Sequence, residues 1–397
     1  MSVISPKKAL RALLWATLFA SGSALADLRF NMREGVTPMS HEIYHLHMIV
    51  FWIVTIAGIG VFGVIIYSII NHRKSKGAVA AQFHESTTVE VIWTIIPFVI
   101  LVAIAIPATK TLLAISDTSH SDLTVKVTGW QWKWEYEYPQ QGIRFFSNLS
   151  TPRDQIENGA KKDEHYLREV DNPLVLPVGK KIRILTTGHD VIHSWWVPDL
   201  GIKKDAIPGY INDTWATIET PGTYRGQCAE LCGKDHGFMP IVVVAKTEPE
   251  FEKWVAEQKQ KQASAAAASG KAYSKDELMA MGEKNFLAHC AACHQATGLG
   301  IPGAFPPLAQ GHPFSATPDM LKHLKERGFL ADDGKIKMGP IKEHLHIVVH
   351  GIEGTAMQAF GPQLNDVEIA SIVTYERNAW GNNTGDVIQP SDVKAAR

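Results

Sequence analysis

The thirteen-residue run "CAELCGKDHGFMP" gathers Cys228, Cys232, His236 and Met239, and His193 lies upstream in "HDVIHSWWVP". Two thiolates, two imidazoles and a thioether form a soft ligand set, better suited to copper than to calcium or magnesium. Other chemistries use part of this set. A structural zinc site takes two Cys and two His, but its usual spacing is C-x-x-C to C-x-x-x-x-C followed by H-x-x-x-H, and Met239 adds nothing to it. A single-copper blue site needs one Cys, which leaves the second surplus. A plain disulfide between Cys228 and Cys232 is the remaining alternative. Two thiolates within one turn can instead bridge two metal ions. His189, in "GHDVIHSW", rivals His193 as a ligand, and spacing alone does not choose between them.

A second cluster, "CAACH", contains Cys290, Cys293 and His294. C-x-x-C-H is the pattern of covalent c-type haem attachment, two thioethers plus a proximal His. A thioredoxin-like redox pair would need a βαβ context, whereas the flanks here read as helical. "SKDELMAMGEKNFLAH" precedes the cluster, opening with a Ser274 cap and an acidic residue three positions later, and "NDVEIASIVTYERNAWG" lies near the end. Two terminal helices crossing around a haem match a small cytochrome c of about 110 residues. For the sixth ligand, Met338 lies in "KIKMGP" and Met357 in "GIEGTAMQAFG", where flanking glycines let the backbone approach the ring. His344, His346 and His350 compete in principle.

These residues need elements to position them. From Asp122 to Pro139 the sequence is "DLTVKVTGWQWKWEYEYP", in which Val125 and Val127, then Trp130, Trp132, Trp134, Tyr136 and Tyr138, alternate with polar residues. A period of two in β-branched and aromatic residues means strand. "PLVLP", "KIRILTT", "TWATIE" and "PIVVVAK" follow, separated by Gly- and Pro-rich turns, which predicts an all-β sandwich or barrel of about 130 residues. Some of the aromatic run must be core, while an exposed Trp beside a metal site can serve as an electron portal or docking contact. "EQKQKQASAAAASGK", Glu257 to Lys271, reads as a helix end running into a flexible linker.

Ahead of the soluble part stand three apolar stretches. Lys7, Lys8 and Arg11, the apolar Ala12–Ala20 and the A-x-A site Ala24-Leu25-Ala26 read as a secretory signal peptide. Met48–Ile70, 23 residues without a formal charge, and Val91–Thr109, 19 residues, are each long enough to span a bilayer. Arg73, Lys74 and Lys76 cluster between them, so the positive-inside rule puts that loop in the cytoplasm and everything after Thr109 outside. Glu90 sits at the cytoplasmic lip of the second span, either as a boundary carboxylate or as a proton-path residue. With 39 basic against 40 acidic residues in 397, nothing calls for nucleic acid as a partner. A polytopic transporter filling the chain is excluded by its 20% charged residues.

"HSWWVPDLGIKKDAIPG" followed by "CAELCGKDHGFMPI" resembles subunit II of cytochrome c oxidase, in the haem-copper oxidases. The resemblance covers roughly Ser40 to Lys246. It implies a cupredoxin fold holding the dinuclear CuA centre. His193 and His236 would each bind one copper, Cys228 and Cys232 would bridge both, and Met239 would be a weak axial ligand. It also selects His193, the histidine before Ser-Trp, over His189. Glu230 would offer its backbone carbonyl to copper and its carboxylate to a magnesium ion shared with subunit I. Trp132 matches the family's electron-entry tryptophan, and Glu90 the carboxylate at the mouth of a proton channel into subunit I. Met357 resembles the axial Met of class I cytochromes c, although Gln358 stands where many members have Pro. His344, His346 and His350 then take a surface role.

The expected organisation is a signal peptide (1–26), a transmembrane hairpin (40–115), a cupredoxin domain (120–247), a helix end and flexible linker (248–272) and a cytochrome c domain (273–385). All four cysteines are then used, two on copper and two on haem. The chain would sit in a bacterial inner membrane with its soluble domains on the periplasmic side. It would carry electrons from a cytochrome c or another periplasmic donor, in a complex with oxidase subunits I and III and membrane lipid. A membrane-anchored copper-delivery or redox-sensing protein is the alternative from another class.

Overall fold

Long apolar runs form long helices, and the computed structural model has two of them: α1 (Pro38–Asn71) and α2 (Thr87–Ser116). The structure describes residues 31–82, 84–156, 158–352 and 355–397. The expected signal peptide, residues 1–26, lies outside them. The described chain divides into two units, one ending at Glu248 and the other beginning at Pro249.

Both helices outrun the apolar stretches that announce them. α1 starts at a reciprocal cap: Thr37 Oγ1 accepts from the Ser40 amide at 3.0 Å, and Ser40 Oγ accepts from the Thr37 amide at 3.0 Å. Pro38 fills the first helical position, where its missing N–H costs nothing. Side chains all round both helices stay exposed, among them Phe62 and Leu101. A helix that is apolar on every side belongs in lipid. The loop between them carries Arg73, Lys74 and Lys76 on its surface.

The rest of the first unit is a sandwich of two five-stranded sheets. Its strands are β1 (Leu123–Trp130), β2 (Lys133–Tyr138), β3 (Ile143–Ser147), β4 (Leu174–Pro177), β5 (Lys181–Gly188), β6 (His193–Val197), β7 (Ile202–Ala206), β8 (Asn212–Thr217), β9 (Gly222–Cys228) and β10 (Pro240–Lys246). One sheet runs β3-β2-β1-β5-β8 and the other β4-β10-β9-β6-β7. β1 lies parallel to β5, with Val125 opposite Ile184, and β4 lies parallel to β10. Val125, Val127, Ile182 and Ile184 from one sheet and Leu174, Trp195, Ile241 and Val243 from the other are fully buried between them. The aromatic run is not one strand. It folds back as the β1–β2 hairpin, with Trp130 opposite Lys133, and buries Trp130, Trp134, Tyr136 and Tyr138.

The sandwich holds both ends of the hairpin of helices. Thr37 Oγ1 donates to the Leu200 carbonyl at 3.0 Å, and the Val36 amide donates to the Asp199 carbonyl at 2.8 Å. At the other end, Trp215 Nε1 donates to the Ala114 carbonyl at 3.0 Å, and Lys181 Nζ donates to the carbonyls of Asp117 and Ser119.

In the second unit α3 (Glu248–Ser269) runs straight through the Ala/Ser-rich stretch that the sequence assigns to a flexible linker. Alanine is the best helix former, so Ala265–Ala268 extends the helix rather than ending it. α4 (Lys275–His289) opens at the expected Ser274 cap, in a capping box with Glu277. α5 (Ala291–His294), α6 (Pro318–Glu326), α7 (Ile341–His350), α8 (Asp366–Asn378) and α9 (Pro390–Ala396) follow. α4 crosses α8 at Gly282, where a Cβ would run into the Ser371 carbonyl and lie 2.6 Å from the Tyr375 Cβ. Asn285 Nδ2 donates to Ser371 Oγ at 3.0 Å beside this crossing.

Candidate metal and haem centres

The thiols of Cys228 and Cys232 are free, buried and 3.8 Å apart. Cys228 ends β9 and is held beside β6 through the Trp195–Cys228 pairing, while Cys232 follows in the loop before β10. Each sulfur has its own imidazole. His193 Nδ1 lies 4.0 Å from Cys228 Sγ, and His236 Nδ1 lies 3.4 Å from Cys232 Sγ. Met239 Sδ is 3.5 Å from Cys232 Sγ, and the Glu230 carbonyl oxygen is 3.4 Å from Cys228 Sγ. Donors bound at 2.0–2.3 Å to a tetrahedral metal stand about 3.3–3.8 Å apart, so these spacings fit ions set between the donors. Among the described residues, the ligand atoms of His193, Cys228 and Cys232 lie within 4.8 Å of one another.

The thiol pair is electrostatically asymmetric. Burial opposes ionisation of Cys228, but hydrogen bonds from His193 and from the backbone around Glu230 and Ser194 outweigh it and bring the thiol down to about 7. Burial, then the neighbouring Cys228 charge, pushes Cys232 up to about 12. The pair thus resists holding two negative charges at once, and the second thiolate needs a cation between them. Burial lowers the His193 imidazole, yet its bonds to Asp190 and Cys228 win and hold it above its usual value.

Supporting contacts fix the donors. His193 is fully buried, and its Nε2 lies 2.9 Å from Asp190 Oδ1, which leaves Nδ1 to face the thiols. Gln131 Nε2 and Trp132 Nε1 both donate to the Cys232 carbonyl, at 2.9 and 3.1 Å. Trp134 Nε1 donates to the Met239 carbonyl at 3.2 Å. Trp132 is half-buried and touches the ligand loop, whereas its neighbours in the aromatic run are core. His189 stacks flat on Trp130, ring centroids 3.4 Å apart, and is not in the thiol cluster. Sequence reasoning missed Asp190, Gln131 and Trp134; only Asp190, three residues before His193, carried a readable signal.

Glu230 is exposed on the ligand loop. Glu90 lies in the first turn of α2, exposed, with its carboxylate 3.4 Å from the Ser86 amide.

In the second unit Cys290 ends α4, and the His294 amide donates to the Cys290 carbonyl at 3.0 Å. His294 Nδ1 lies 3.0 Å from the Pro306 carbonyl, so Nδ1 carries the proton and Nε2 is left as an iron donor. Burial holds the His294 imidazole below its usual value and pushes the Cys290 thiol well above its own. Cys290 and Met357 pack against one apolar cluster that includes Leu278, Leu345, Phe360 and Ile369. This donor set, two thiols, an oriented imidazole and a thioether beside an apolar core, fits a covalently held haem. One expectation fails. His344 is buried rather than at the surface, because α7 turns His344, Leu345, Val348 and Val349 inward, and Glu376 Oε2 meets its Nε2 at 2.8 Å. His346 and His350 are exposed as expected.

Comparison with known proteins agrees with this division. The profile of the cytochrome c oxidase subunit II periplasmic domain matches residues 123–246, and that of the subunit II transmembrane domain matches residues 26–111. The profile of subunit III of cbb3-type cytochrome c oxidase matches residues 277–375. A probable cytochrome c oxidase subunit 2 of Rickettsia bellii (strain RML369-C) is 37% identical over 238 residues, 60% of this chain and 87% of the relative. Cytochrome c oxidase subunit 2 of Mycosarcoma maydis is 38% identical over 229 residues, 56% of this chain and 88% of the relative. The crystal structure of the periplasmic domain of cytochrome oxidase subunit II of Bradyrhizobium japonicum is 43% identical, with a TM-score of 0.33, over 36% of this chain and 98% of that one. The chain, a membrane-anchored protein with a cupredoxin-like periplasmic domain and a C-terminal cytochrome c domain, belongs to the cytochrome c oxidase subunit II family.

Proposed function

We propose that this chain relays single electrons from a cytochrome c, or another periplasmic donor, through its own haem c and a dinuclear CuA centre to oxidase subunit I, where oxygen is reduced to water with proton pumping. The observation that carries the reading is the thiol pair flanked on each side by one imidazole, in a chain that also holds an oriented C-x-x-C-H histidine. When bound, the two coppers and the haem supply one-electron carriers and no bond-making chemistry.

The residues divide the work. His193 and His236 would each hold one copper, Cys228 and Cys232 would bridge both, and Met239 and the Glu230 carbonyl would complete the set. Paired thiolate donors would spread charge over the bound coppers, which would suit one-electron transfer. Asp190 keeps the Nδ1 face of His193 toward the thiols. Cys290 and Cys293 would carry the haem, and His294 and Met357 would hold its iron, a pair that would raise the haem potential. The indole of Trp132, half-exposed and bonded to the Cys232 carbonyl, suits electron entry. The exposed Glu230 carboxylate suits a magnesium ion shared with subunit I. Glu90, at the cytoplasmic start of α2, suits the mouth of a proton channel into subunit I. α1 and α2 would pack against subunit I, with subunit III completing the complex.

The test is metal analysis and oxygen consumption on the chain purified with its membrane partners. Two coppers and one covalent haem iron per chain, with turnover on reduced cytochrome c, are expected. Cys228→Ser should abolish the dinuclear copper spectrum and leave the haem absorbance; a variant that keeps the dinuclear signal overturns the ligand assignment.

A further inference from the structure

Between the end of α7 at His350 and the start of α8 at Asp366, the described residues around Met357 form neither helix nor strand. Part of this loop is held by its own backbone. The Ile352 amide donates to the Met357 carbonyl at 2.8 Å, and the Met357 amide donates to Thr355 Oγ1 at 3.1 Å. Gly351, at φ +73°, lets the stretch close tightly, since a Cβ there would lie 2.6 Å from the Met357 carbonyl oxygen. The Phe360 and Gly361 amides then take the free carbonyls of Val348 and Val349 at the end of α7, each at 2.9 Å.

The segment leading from Met357 into α8 is held from outside. Arg397, directly after α9, donates through Nη1 to the Gly361 carbonyl, through Nη2 to the Leu364 carbonyl at 2.7 Å and through Nε to Asp366 Oδ1 at 2.6 Å. One planar guanidinium thus joins three points of that segment, a fork that a lysine ammonium cannot reproduce. The Asp366 side chain is only 14% exposed, so water competes little for its charge-assisted bond. α9 is itself fastened. Ile388 and Val393 are buried in one apolar cluster with Phe360 and Leu364, and both Met357 and Ala396 pack against that cluster. His350 Nε2 lies 2.9 Å from the Ala396 carbonyl. The α9 segment is therefore bound on both sides of Met357 in the sequence, at the end of α7 and at the start of α8.

We propose that α9 is a strap on the Met357 loop and that Arg397 is a positioning residue for the sixth haem ligand, keeping the Met357 thioether from being displaced by an outside ligand. The proposal rests on the reading of His294 and Met357 as the axial pair. When imidazole takes the place of Met357, one bond from iron to sulfur breaks and one from iron to nitrogen forms, and no electron is transferred. The loop must open for this exchange, and each bond that opening loosens lowers the population able to bind imidazole. Arg397 acts only through the loop.

The experiment is an optical titration of the ferric haem with imidazole in the full-length, haem-loaded chain. Arg397→Met keeps an apolar stem and removes all three bonds. It should raise imidazole affinity about tenfold, the order set by one charge-assisted hydrogen bond. Arg397→Lys restores part of the fork and should fall between that variant and wild type. Gly282→Ala weakens the same unit at the α4–α8 crossing, outside the loop, and should stay within about twofold of wild type. An Arg397→Met affinity within about twofold of wild type overturns the proposal, because the strap then restrains nothing. A Gly282→Ala change as large as that of Arg397→Met also overturns it, because overall stability then sets the exchange. If Arg397→Met loads no haem, Arg397→Lys carries the test, and an affinity equal to wild type overturns the proposal. Met357→Leu tests the underlying reading separately: if it binds imidazole no more tightly than wild type, Met357 is not the ligand displaced and the axial assignment fails.

Discussion

Gly129→Ala probes the copper site without replacing a donor residue. Gly129 sits in β1, opposite Trp134 of β2 and Gly188 of β5, and its φ is not in the left-handed region, so the backbone accepts alanine. An added Cβ, however, would lie 2.6 Å from Cδ2, 2.7 Å from Cγ and 2.9 Å from Cβ of His193. Carbon atoms rest about 3.5–4.0 Å apart, so the ring must give by about 1 Å. It has little room: His193 is fully buried, paired with Ala206 across β6–β7 and bonded through Nε2 to Asp190 at 2.9 Å. Replacing Gly usually stabilises by about 0.4–1 kcal/mol through the unfolded chain. Overpacking costs about 1–3 kcal/mol, so the clash wins and the metal-free domain loses about 1–2 kcal/mol. A ring pushed by that distance keeps either its Asp190 bond or its place against Cys228, not both, and loss of such support costs about 10–100-fold in metal affinity. Copper competition titrations and denaturation of the metal-free protein read the two effects. A Gly129→Ala protein with wild-type copper affinity and stability would mean that the His193 ring does not lie against β1 at Gly129, and would refute the reasoning.

Met357→Leu should leave the haem covalently attached but remove its thioether ligand, visible as a change in the ferric spectrum, whereas Met338→Leu should leave the spectrum unchanged; the reverse pattern moves the axial ligand to Met338. Gly282→Ala forces α4 away from the Ser371 carbonyl and the Tyr375 Cβ, and should destabilise the cytochrome unit by about 1–3 kcal/mol in thermal unfolding followed at the haem. Burial brings the Lys133 ammonium down from 10.5 to about 7 in the folded β domain. Between those values the unfolded chain binds a proton that the folded chain does not, so unfolding free energy rises with pH across this window. Lys133→Met should flatten that rise in denaturation of the metal-free protein at pH values on either side of it, and equal slopes would contradict the burial argument.

How legible the centres were depended on how far apart their parts lie in sequence. Cys228, Cys232, His236 and Met239 fall in one loop, and Cys290, Cys293 and His294 in one turn, so spacing alone announced chemistry there. The cap at Ser274 likewise marked α4, one of the two helices that cross at Gly282. His193 was harder, because what brings it to Cys228 is the β6–β9 pairing, a register that local patterns do not encode. The β1–β2 hairpin hid for another reason: its turn, Gln131-Trp132, contains none of the Gly, Asn or Pro residues that usually mark one, and the aromatic alternation runs straight across it. His344 was misplaced because its partner is 32 residues away; a histidine on a helix reads as surface until the carboxylate that compensates its burial is found.

One connection was not legible at all, and it ties the anchor to the copper loop. The cap that starts α1 is itself sandwich structure, since Thr37 is fully buried and donates to Leu200, seven residues after His193 along the same polypeptide. The end of α2 is held in the same way by Trp215 of β8 and Lys181 of β5. A flexible tether at either point would let the copper loop wander relative to the membrane helices, and electron tunnelling falls steeply with distance. Hydrogen bonds to backbone carbonyls at both ends remove that freedom, so packing of α1 and α2 against a membrane partner would also fix where His193, Cys228 and Cys232 stand. Within the first unit the hairpin therefore does more than hold the domain at the membrane: it orients the candidate copper centre.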